Sequence, residues 1–260
     1  VENKKTKRLI VIKRFNKEGV ALAEAKALSQ CSHNNLVKIL GAGSGKQKTV
    51  IVMEYAPGGS LADRLVRTYN WEEAFAIGVQ IVHGLAAAHK QHIVHGNLRP
   101  SNVLFDGDDT VKLSDFGSPQ HYSARRNWYS PPEKGVSARG DIYSLGVILH
   151  QMLYGQTPNF SRHGQLLIPE HDIRIPDPVR HMLQRSLALK NTERYQSCDE
   201  LLSDWEEFTR AREASAAPVK AEPATPKSRR QPSGMFMLTV GLLIGMALGI
   251  VISYLVGLPV

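Results

Sequence analysis

Residues 95–117 read HGNLRPSNVLFDGDDTVKLSDFG, with short apolar runs between polar segments. The apolar runs, at 103–105 and 111–113, flank Asp106-Gly107-Asp108-Asp109, which has the composition of a turn. Two such runs on either side of a turn predict a small β-hairpin. The hairpin separates two segments that are rich in polar side chains, residues 95–102 and residues 115–117.

Outward from the hairpin, the apolar periodicity predicts strands near the start of the chain and helices after them. Short β-branched runs at Arg8–Phe15 and Thr49–Tyr55 predict strands, and Val20–Cys31 between them predicts a helix. From Trp71 to Ala88 the apolar residues recur every three or four positions, as in a long amphipathic helix. Further helices are predicted at Asp141–Leu153 (apolar nearly all round), Val179–Leu187 and Ser197–Phe208. A small sheet followed by a larger helical part predicts an α+β chain with two lobes.

Several short motifs follow one another in one order between residues 11 and 195. They are Val11-Ile12-Lys13, Glu24 in its helix, His33-Asn34-Asn35-Leu36-Val37, Met53-Glu54-Tyr55, residues 95–102, Asp115-Phe116-Gly117, Pro131-Pro132-Glu133, Asp141-Ile142-Tyr143-Ser144-Leu145-Gly146 and Arg194. Any one of them is weak, but in this order they resemble the protein kinase family, and most closely its bacterial-type, membrane-anchored Ser/Thr kinases. The resemblance implies a two-lobed kinase-like fold with a small β-rich N-lobe and a larger α-helical C-lobe.

The resemblance also implies how each motif serves phosphoryl transfer, which depends mainly on positioning and charge stabilisation. Lys13, held by Glu24, is expected to contact the α- and β-phosphates of ATP. Asn102 and Asp115 are expected to supply oxygen ligands to Mg²⁺, which prefers such ligands. Backbone groups at the interlobe hinge are expected to face the adenine, at Glu54 and Tyr55.

Other motif residues are expected to be structural. Arg194 matches the family arginine that pairs with the glutamate at the end of the activation segment, here Glu133. His95 matches a hydrogen-bonding histidine of the catalytic loop. The histidines at 83, 89 and 92 lie on or just past the preceding helix, and we interpret them as core or surface residues rather than metal ligands.

Departures from the family pattern argue against efficient catalysis. Asn97 occupies the position of the catalytic Asp, and an amide cannot act as a carboxylate base; general-base catalysis contributes about 10²–10⁴-fold. Gly96 replaces the preceding arginine, and Arg99 replaces a lysine, keeping the charge but not the shape. Arg126 stands where the family threonine would hold the catalytic Asp. The pattern predicts a pseudokinase, and the alternative is a slow kinase that uses another group.

The family's glycine-rich nucleotide loop has no counterpart before Lys13. Only twelve residues precede Lys13, too few for the family's two opening strands and the glycine-rich loop between them. We therefore expect an N-lobe that lacks its first strands. Either the chain is a fragment, or the glycine-rich loop that covers the nucleotide has been lost. The later run Gly41-Ala42-Gly43-Ser44-Gly45-Lys46 lacks the spacing of a Walker A motif. We interpret that run as a hairpin loop.

Composition places the charge at the two ends of a neutral body. The 260 residues carry a formal net charge of +8, yet residues 19–210 hold equal numbers of basic and acidic side chains. A nucleic-acid-binding protein needs a basic face on the folded unit, so we expect no nucleic-acid partner. The only cysteines, Cys31 and Cys198, exclude a disulfide scaffold and favour a reducing compartment.

The end of the chain predicts a membrane anchor. Residues 235–257 carry no charge over 23 positions, enough to cross a hydrocarbon core of roughly 30 Å as a helix. Basic residues precede this segment, which predicts a single-pass protein whose kinase-like part is cytoplasmic. Glycines at every fourth position, Gly241, Gly245 and Gly249, suggest a homodimer through close helix contact.

The predicted organisation is a partial kinase N-lobe (1–55), a C-lobe (56–210), a basic Pro/Ala linker (211–234) and a transmembrane helix (235–257). The first functional hypothesis is a membrane-anchored pseudokinase with residual Mg–ATP binding that acts in signalling by recruiting partners. The second is an active Ser/Thr protein kinase that transfers the ATP γ-phosphate. The third is a membrane-tethered interaction module that binds no nucleotide.

Overall fold

A computed structural model describes residues 1–2, 8–15, 22–45, 48–116, 128–168 and 174–216. The first three strands form one antiparallel sheet in the order β1-β3-β2: β1 (Ile10–Phe15), β2 (Ile39–Gly45) and β3 (Lys48–Glu54). Helix α1 (Leu22–Gln30) lies between β1 and β2 in sequence and packs against the sheet. Ala25, Val37, Ile51 and Met53 form the small core between helix and sheet. The predictions of β1, α1 and β3 are confirmed.

The glycine-rich run after Leu40 is a strand, so its prediction as a hairpin loop was wrong. Gly41 to Gly45 lie in β2 and pair in register with Lys48 to Val52 of β3. A side chain would meet nothing within 4 Å at Gly41, Gly43 or Gly45, so at these three positions backbone pairing holds the strand. Glycine has a low strand propensity, and tertiary pairing overrides it here.

A second, two-stranded sheet connects the N-terminal sheet to the helical part. Strands β4 (Val103–Phe105) and β5 (Val111–Leu113) pair antiparallel, as the sequence predicted. The backbone of Val37, just before β2, donates a hydrogen bond of 2.9 Å to the carbonyl of Leu113. The short helix α2 (Leu61–Arg64) contacts β4 and begins at Ser60 with a capping box to Asp63.

The helical part is built around α3 (Trp71–Lys90) and α4 (Ala138–Tyr154), both of which the sequence predicted as helices. Asn70 and Glu73 form a capping box at the start of α3. In α4, 13 of the 17 residues are buried, which explains why its sequence is apolar nearly all round. Helices α5 (Asp177–Ser186) and α6 (Cys198–Ala216) complete this part.

Helix α6 ends at Ala216, beyond the predicted end of that helix at Phe208, and the linker 211–234 stays a prediction. Arg212 explains part of this extension. Its guanidinium lies 4.6 Å above the ring of Trp71 and 3.3 Å from the carboxylate of Glu72, both in the first turn of α3. The ring of Trp205, two turns earlier in α6, stacks on Phe75 at 4.6 Å. The remaining linker residues lie outside the described ranges.

The chain divides into two compact units, Val1–Arg212 and Glu213–Val260. Of the second, only residues 213–216 are described, and they belong to the end of α6. Among the described residues, no helix is both long and apolar enough to cross a membrane. The predicted transmembrane segment, 235–257, lies outside those residues and stays a prediction.

Candidate functional site

The lysine of β1 and the aspartate after β5 meet at the junction of the two sheets. The ammonium of Lys13 forms an ion pair with Oδ1 of Asp115, 102 residues away in sequence. Asp115 has a φ of +64°, in the left-handed region that few non-glycine residues adopt. Glu24 lies in α1, but its side chain is outside the described structure, so its pairing with Lys13 stays a prediction.

The loop from His95 to Asn102 is anchored by the buried carboxylate of Asp141, in the first turn of α4. Its oxygens accept backbone N–H bonds of 2.8 Å from both His95 and Gly96. Nε2 of His89, in the last turn of α3, lies 2.9 Å from the same carboxylate. Asp141 is only 1% exposed, so these three partners compensate the loss of its hydration. The sequence placed Asp141 in a helix but did not identify it as the loop's anchor.

His95 is fully buried inside the loop. Its Nδ1 accepts a hydrogen bond from the backbone N–H of Asn97 at 3.3 Å, and its ring stacks on Phe116 at 4.3 Å. Burial lowers the pKa of His95, so the ring is neutral near pH 7 and carries its proton on Nε2. No described residue accepts a hydrogen bond from that Nε2. His95 therefore links the loop to the Asp115-Phe116 segment.

Asn102 connects Asn97 to Asp115 through its backbone and its side chain. Its Nδ2 donates to the carbonyl oxygen of Asn97 at 2.8 Å. Its own carbonyl accepts the backbone N–H of Ser114 at 3.0 Å, which holds the residue just before Asp115. Among the described residues, the side-chain oxygen of Asn102 accepts one hydrogen bond, of 3.4 Å from the Ser101 hydroxyl. Asn97, Asn102, Asp115 and Lys13 thus belong to one site.

Glu133 and Arg194 form the predicted ion pair. The guanidinium of Arg194 is completely buried and donates bonds of 2.6 and 2.7 Å to the two carboxylate oxygens. Partial burial acts to raise the pKa of Glu133, but the hydrogen bonds from Arg194, a backbone hydrogen bond and the positive charges of Arg194 and Arg139 together leave the pKa below its usual value. Glu133 is therefore ionised at neutral pH and committed to Arg194.

The hinge residues lie at the end of β3. The Glu54 carboxylate accepts the backbone N–H of Lys38 at 2.9 Å and lies 3.1 Å from the ammonium of Lys112. The side chain of Tyr55 is about half exposed. Arg99 is exposed in the catalytic-loop segment, while Gly117 and Arg126 lie outside the described residues.

The sequence analysis assigned no role in the site to two apolar residues near the hinge. Val11 of β1 and Leu104 of β4 both pack against the small core of the N-terminal sheet and are only partly buried. Val11 precedes Lys13 by two residues, and alternate strand residues share a face, which is the signal that could have identified it. The proximity of Leu104 depends on the tertiary fold and leaves no comparable signal.

The chain resembles known proteins across its folded part. A family model described as "Protein kinase domain" matches residues 1–211. A "Probable serine/threonine-protein kinase" of Clostridium perfringens is 28% identical over 239 residues, which cover 82% of this chain and 34% of that protein. "Probable serine/threonine-protein kinase PknB" of Lactococcus lactis is 28% identical over 232 residues, covering 76% of this chain and 37% of that protein.

One plant relative is described as an inactive kinase, unlike the two bacterial proteins. The "Probable inactive leucine-rich repeat receptor kinase XIAO" of Oryza sativa is 29% identical over 223 residues, covering 74% of this chain and 19% of that protein. The chain thus spans about a third of the length of the two bacterial relatives and a smaller share of the plant protein.

Proposed function

Because this chain belongs to the protein kinase family, we propose that it is a kinase-like signalling protein that binds Mg–ATP, transfers phosphate poorly and works by recruiting protein partners. The proposal rests on the catalytic loop, where Asn97 takes the place of the family's catalytic Asp. An amide at that position cannot accept the proton of a substrate hydroxyl.

The observation that supports the proposal most directly is that three carboxylates of this region, which could otherwise replace the missing base, already have hydrogen-bond or ion-pair partners. Asp141 accepts three hydrogen bonds, Glu133 is paired with Arg194, and Asp115 is paired with Lys13. Among the described residues, none of these three carboxylates is positioned as a free base to replace the missing Asp. The neutral His95 already accepts a hydrogen bond at Nδ1. A base that contributes about 10²–10⁴-fold in rate therefore has no substitute among them.

The residues present do fit a magnesium nucleotide. Asp115 and the side-chain oxygen of Asn102 are hard oxygen ligands of the kind that Mg²⁺ prefers, and Lys13 offers a cation for phosphate. Val11 and Leu104 offer apolar surface for a purine base beside the hinge at Glu54. When bound, the metal would neutralise phosphate charge. The protein itself holds the backbone before Asp115 through the hydrogen bond between Ser114 and Asn102, and it places Lys13 beside Asp115.

A second candidate function is phosphoryl transfer to protein Ser or Thr. The convergence of Lys13, Asn102 and Asp115 favours it, as does similarity to two bacterial proteins described as serine/threonine kinases. A kinase of this kind would be slow, since positioning and charge stabilisation would act without a carboxylate base.

Membrane attachment and dimerisation are part of the same proposal. The uncharged segment 235–257 is proposed to anchor the protein by a single helix, with the kinase-like part in the cytoplasm. Gly241, Gly245 and Gly249 are proposed to let two such helices pack closely. A membrane reporter assay in which Gly245→Leu and Gly249→Leu leave self-association unchanged would reject the dimer.

Two measurements on the full chain test the proposed function. The first is the thermal stability with and without Mg–ATP, and we expect stabilisation that Asp115→Ala removes. The second is transfer of radiolabelled γ-phosphate to the chain itself and to a generic protein substrate, and we expect transfer at or near background. Rapid transfer that Asp115→Ala abolishes would establish the active kinase instead. No thermal shift with Mg–ATP would support the module that binds no nucleotide.

A further inference from the structure

The three-stranded sheet has one face that α1 does not cover. Because alternate residues of a strand point to opposite faces, the register of β1 with β3 sorts their side chains into two sets. Ile51 and Met53 belong to the set that packs with α1 in the small core. The other set forms the outer face of the sheet, and it consists of Ile10, Ile12, Arg14, Lys48, Val50, Val52 and Glu54. Apart from Glu54 at the hinge, the roles assigned above use none of these residues.

The centre of the outer face is apolar and partly exposed. Ile12 lies opposite Val52, and the side chains of Ile10 and Val50 flank this pair. All four side chains are only half-buried. On β2 the same face carries glycines alone, at positions 41, 43 and 45, and a Cβ at any of them would meet nothing within 4 Å. No side chain of β2 therefore shields the apolar centre.

Two exposed leucines extend this apolar surface. Leu9 immediately precedes β1 and is 56% exposed, and Leu40, at the irregularity in β2, is 49% exposed. A single exposed leucine is ordinary on a protein surface. These two lie on the strands that border the apolar centre, so they add to one patch.

The outer face is basic at one end. Arg14 and Lys48 lie at the end of the sheet farthest from the hinge, and both are exposed. In the described part of the chain neither of them forms an ion pair. The one acidic member of the face, Glu54, lies at the hinge end, where the ammonium of Lys112 is 3.1 Å from its carboxylate. The positive charge of Arg14 and Lys48 is therefore not offset by a neighbouring carboxylate.

A surface with aliphatic side chains at its centre and cations at one end is complementary to an anionic lipid bilayer. The cations attract the negative headgroups, and aliphatic side chains leave water at the boundary between headgroups and acyl chains. The segment 235–257 is proposed above to anchor the chain, with the kinase-like part on the side of the membrane where anionic lipids are concentrated. An anchor on the same chain keeps that bilayer at a high effective concentration near the sheet.

We propose that the outer face of the sheet docks onto the anionic surface of the membrane that anchors the chain. Arg14 and Lys48 contact the headgroups, and the aliphatic centre contacts the boundary below them. The inference rests on the membrane attachment in the proposed function and adds a second, electrostatic contact to it. Lys13 lies on the opposite face, opposite Ile51, so docking leaves this site residue uncovered.

Fluorescence quenching in lipid nanodiscs tests the docking of the full chain. A bimane label is attached at Gly43→Cys, on the outer face, in a Cys31→Ser background; the buried Cys198 is retained. The discs contain phosphatidylcholine with or without phosphatidylserine, and a headgroup spin label quenches nearby bimane. We expect quenching about threefold stronger with phosphatidylserine. A label at Ser29→Cys, on the exposed side of α1, should show no such difference. Equal quenching of the Gly43→Cys label in both lipids, or equal quenching of the two labels, would overturn the proposal.

Charge variants assign the docking to the outer face. Arg14→Glu and Lys48→Glu should each lower the docking constant about fivefold or more, since one basic residue near an anionic bilayer contributes about that factor. Arg14→Lys keeps the charge and should keep the docking. Lys26→Glu on α1 makes the same charge change on the covered side of the sheet and should have little effect. Unchanged docking in both outer-face variants, or an equal loss in Lys26→Glu, would contradict the assignment.

Two further measurements test the nature of the contact. Raising the salt concentration should release the label from the headgroups, because screening weakens an electrostatic contact, while the anchored chain stays with the discs. Val50→Thr, a change of nearly equal volume, should weaken docking about two- to fivefold by placing a hydroxyl in the apolar centre. Docking that resists high salt and is insensitive to Val50→Thr would contradict the proposed contact.

These measurements separate the inference from the proposed function. Copurification with the discs reports on the anchor, whereas quenching of the Gly43→Cys label reports on the outer face. Copurification without quenching that depends on phosphatidylserine would overturn the inference alone. Failure to copurify would overturn the proposed membrane attachment and the docking that rests on it. A bimane blue shift that grows with protein concentration in detergent would show that a second copy covers the outer face instead.

Discussion

The guanidinium of Arg194 and the carboxylate of Glu133 are joined by two parallel hydrogen bonds of 2.6 and 2.7 Å across 61 residues of sequence. The arginine is completely buried, whereas the glutamate side chain is 26% exposed. Arg194 also donates to the carbonyl oxygens of Ala188 and Leu189. The pair therefore ties the segment before α4 to the loop before α6.

Glu133→Gln should destabilise the fold by leaving the buried charge of Arg194 without a counter-charge. Breaking a buried pair costs about 3–5 kcal/mol, and partial exposure of Glu133 reduces this to about 2–3 kcal/mol. The measurement is the free energy of unfolding in urea at pH 7. Glu193→Gln is the control, because the Glu193–Lys190 pair is exposed to solvent and should contribute little to the free energy of unfolding. Equal effects of the two variants would contradict the structural role of Glu133.

The same pair predicts a dependence of stability on pH. Burial acts to raise the folded-state pKa of Glu133, but the hydrogen bonds from Arg194, a backbone hydrogen bond and the charges of Arg194 and Arg139 together hold it below its usual value of 4.5. Below pH 4.5 the unfolded chain binds more protons at this residue than the folded chain does, so stability falls as the pH falls. The difference in unfolding free energy between the wild type and Glu133→Gln should therefore shrink between pH 6 and pH 3. A constant difference over that range would contradict the prediction.

Most of the fold could be predicted because its elements are local patterns. The apolar spacing from Trp71 and the turn between β4 and β5 each predicted the element that the structure contains. Strand β2 could not be predicted, since its glycines carry no strand signal and only pairing with β3 holds them extended. The end of α6 was missed because Arg212 is stabilised by α3, far away in sequence.

The sequence predicted which residues belong to the site but not the contacts between them. The motif order assigned Lys13 and Asp115 to one site, but their direct ion pair depends on how β1 meets the end of β5. The three-way anchoring of the catalytic loop by Asp141 likewise depends on the tertiary arrangement of α3 and α4. Contacts between residues this distant in sequence leave no periodic pattern to detect.

Asp141→Asn should loosen the catalytic loop. The buried carboxylate accepts both backbone N–H groups and the His89 ring, and an amide offers only one oxygen and directs an N–H at one of these donors. Leaving a buried donor unsatisfied costs about 1–3 kcal/mol. Urea unfolding measures the loss, and hydrogen exchange at Gly96 should accelerate. Asp199→Asn, at an exposed 3.8 Å ion pair with Lys90, should leave both readouts nearly unchanged. Unaltered exchange at Gly96 would contradict the anchoring role.

Lys13→Met should separate metal binding from nucleotide binding. In the structure the ammonium of Lys13 is paired with Asp115, so its removal leaves that carboxylate free for a divalent cation. We expect Mg²⁺ alone to stabilise the variant at about two- to fivefold lower concentration than the wild type, as befits a partly exposed pair. Stabilisation by Mg–ATP should weaken instead, since the phosphates lose a cation. Both are read from thermal unfolding during titration.

The control for Lys13→Met is Lys48→Met, on an exposed residue at the start of β3. This variant should respond to Mg²⁺ and to Mg–ATP as the wild type does. If Lys13→Met and the wild type need the same Mg²⁺ concentration, the lysine does not compete with the metal for Asp115. If Mg–ATP stabilises both equally, Lys13 does not contact the phosphates.

Asn97→Asp should restore part of the missing chemistry. It supplies a carboxylate on a loop already held by Asp141 and Asn102, so γ-phosphate transfer to protein should rise by about 10²-fold, the lower end of general-base contributions. We expect the lower end because the family resemblance implies that Arg126 stands where a threonine would hold such an Asp. The double variant Asn97→Asp, Asp115→Ala should return transfer to background. No gain in the single variant, with Mg–ATP stabilisation intact, would show that the missing base is not what limits transfer.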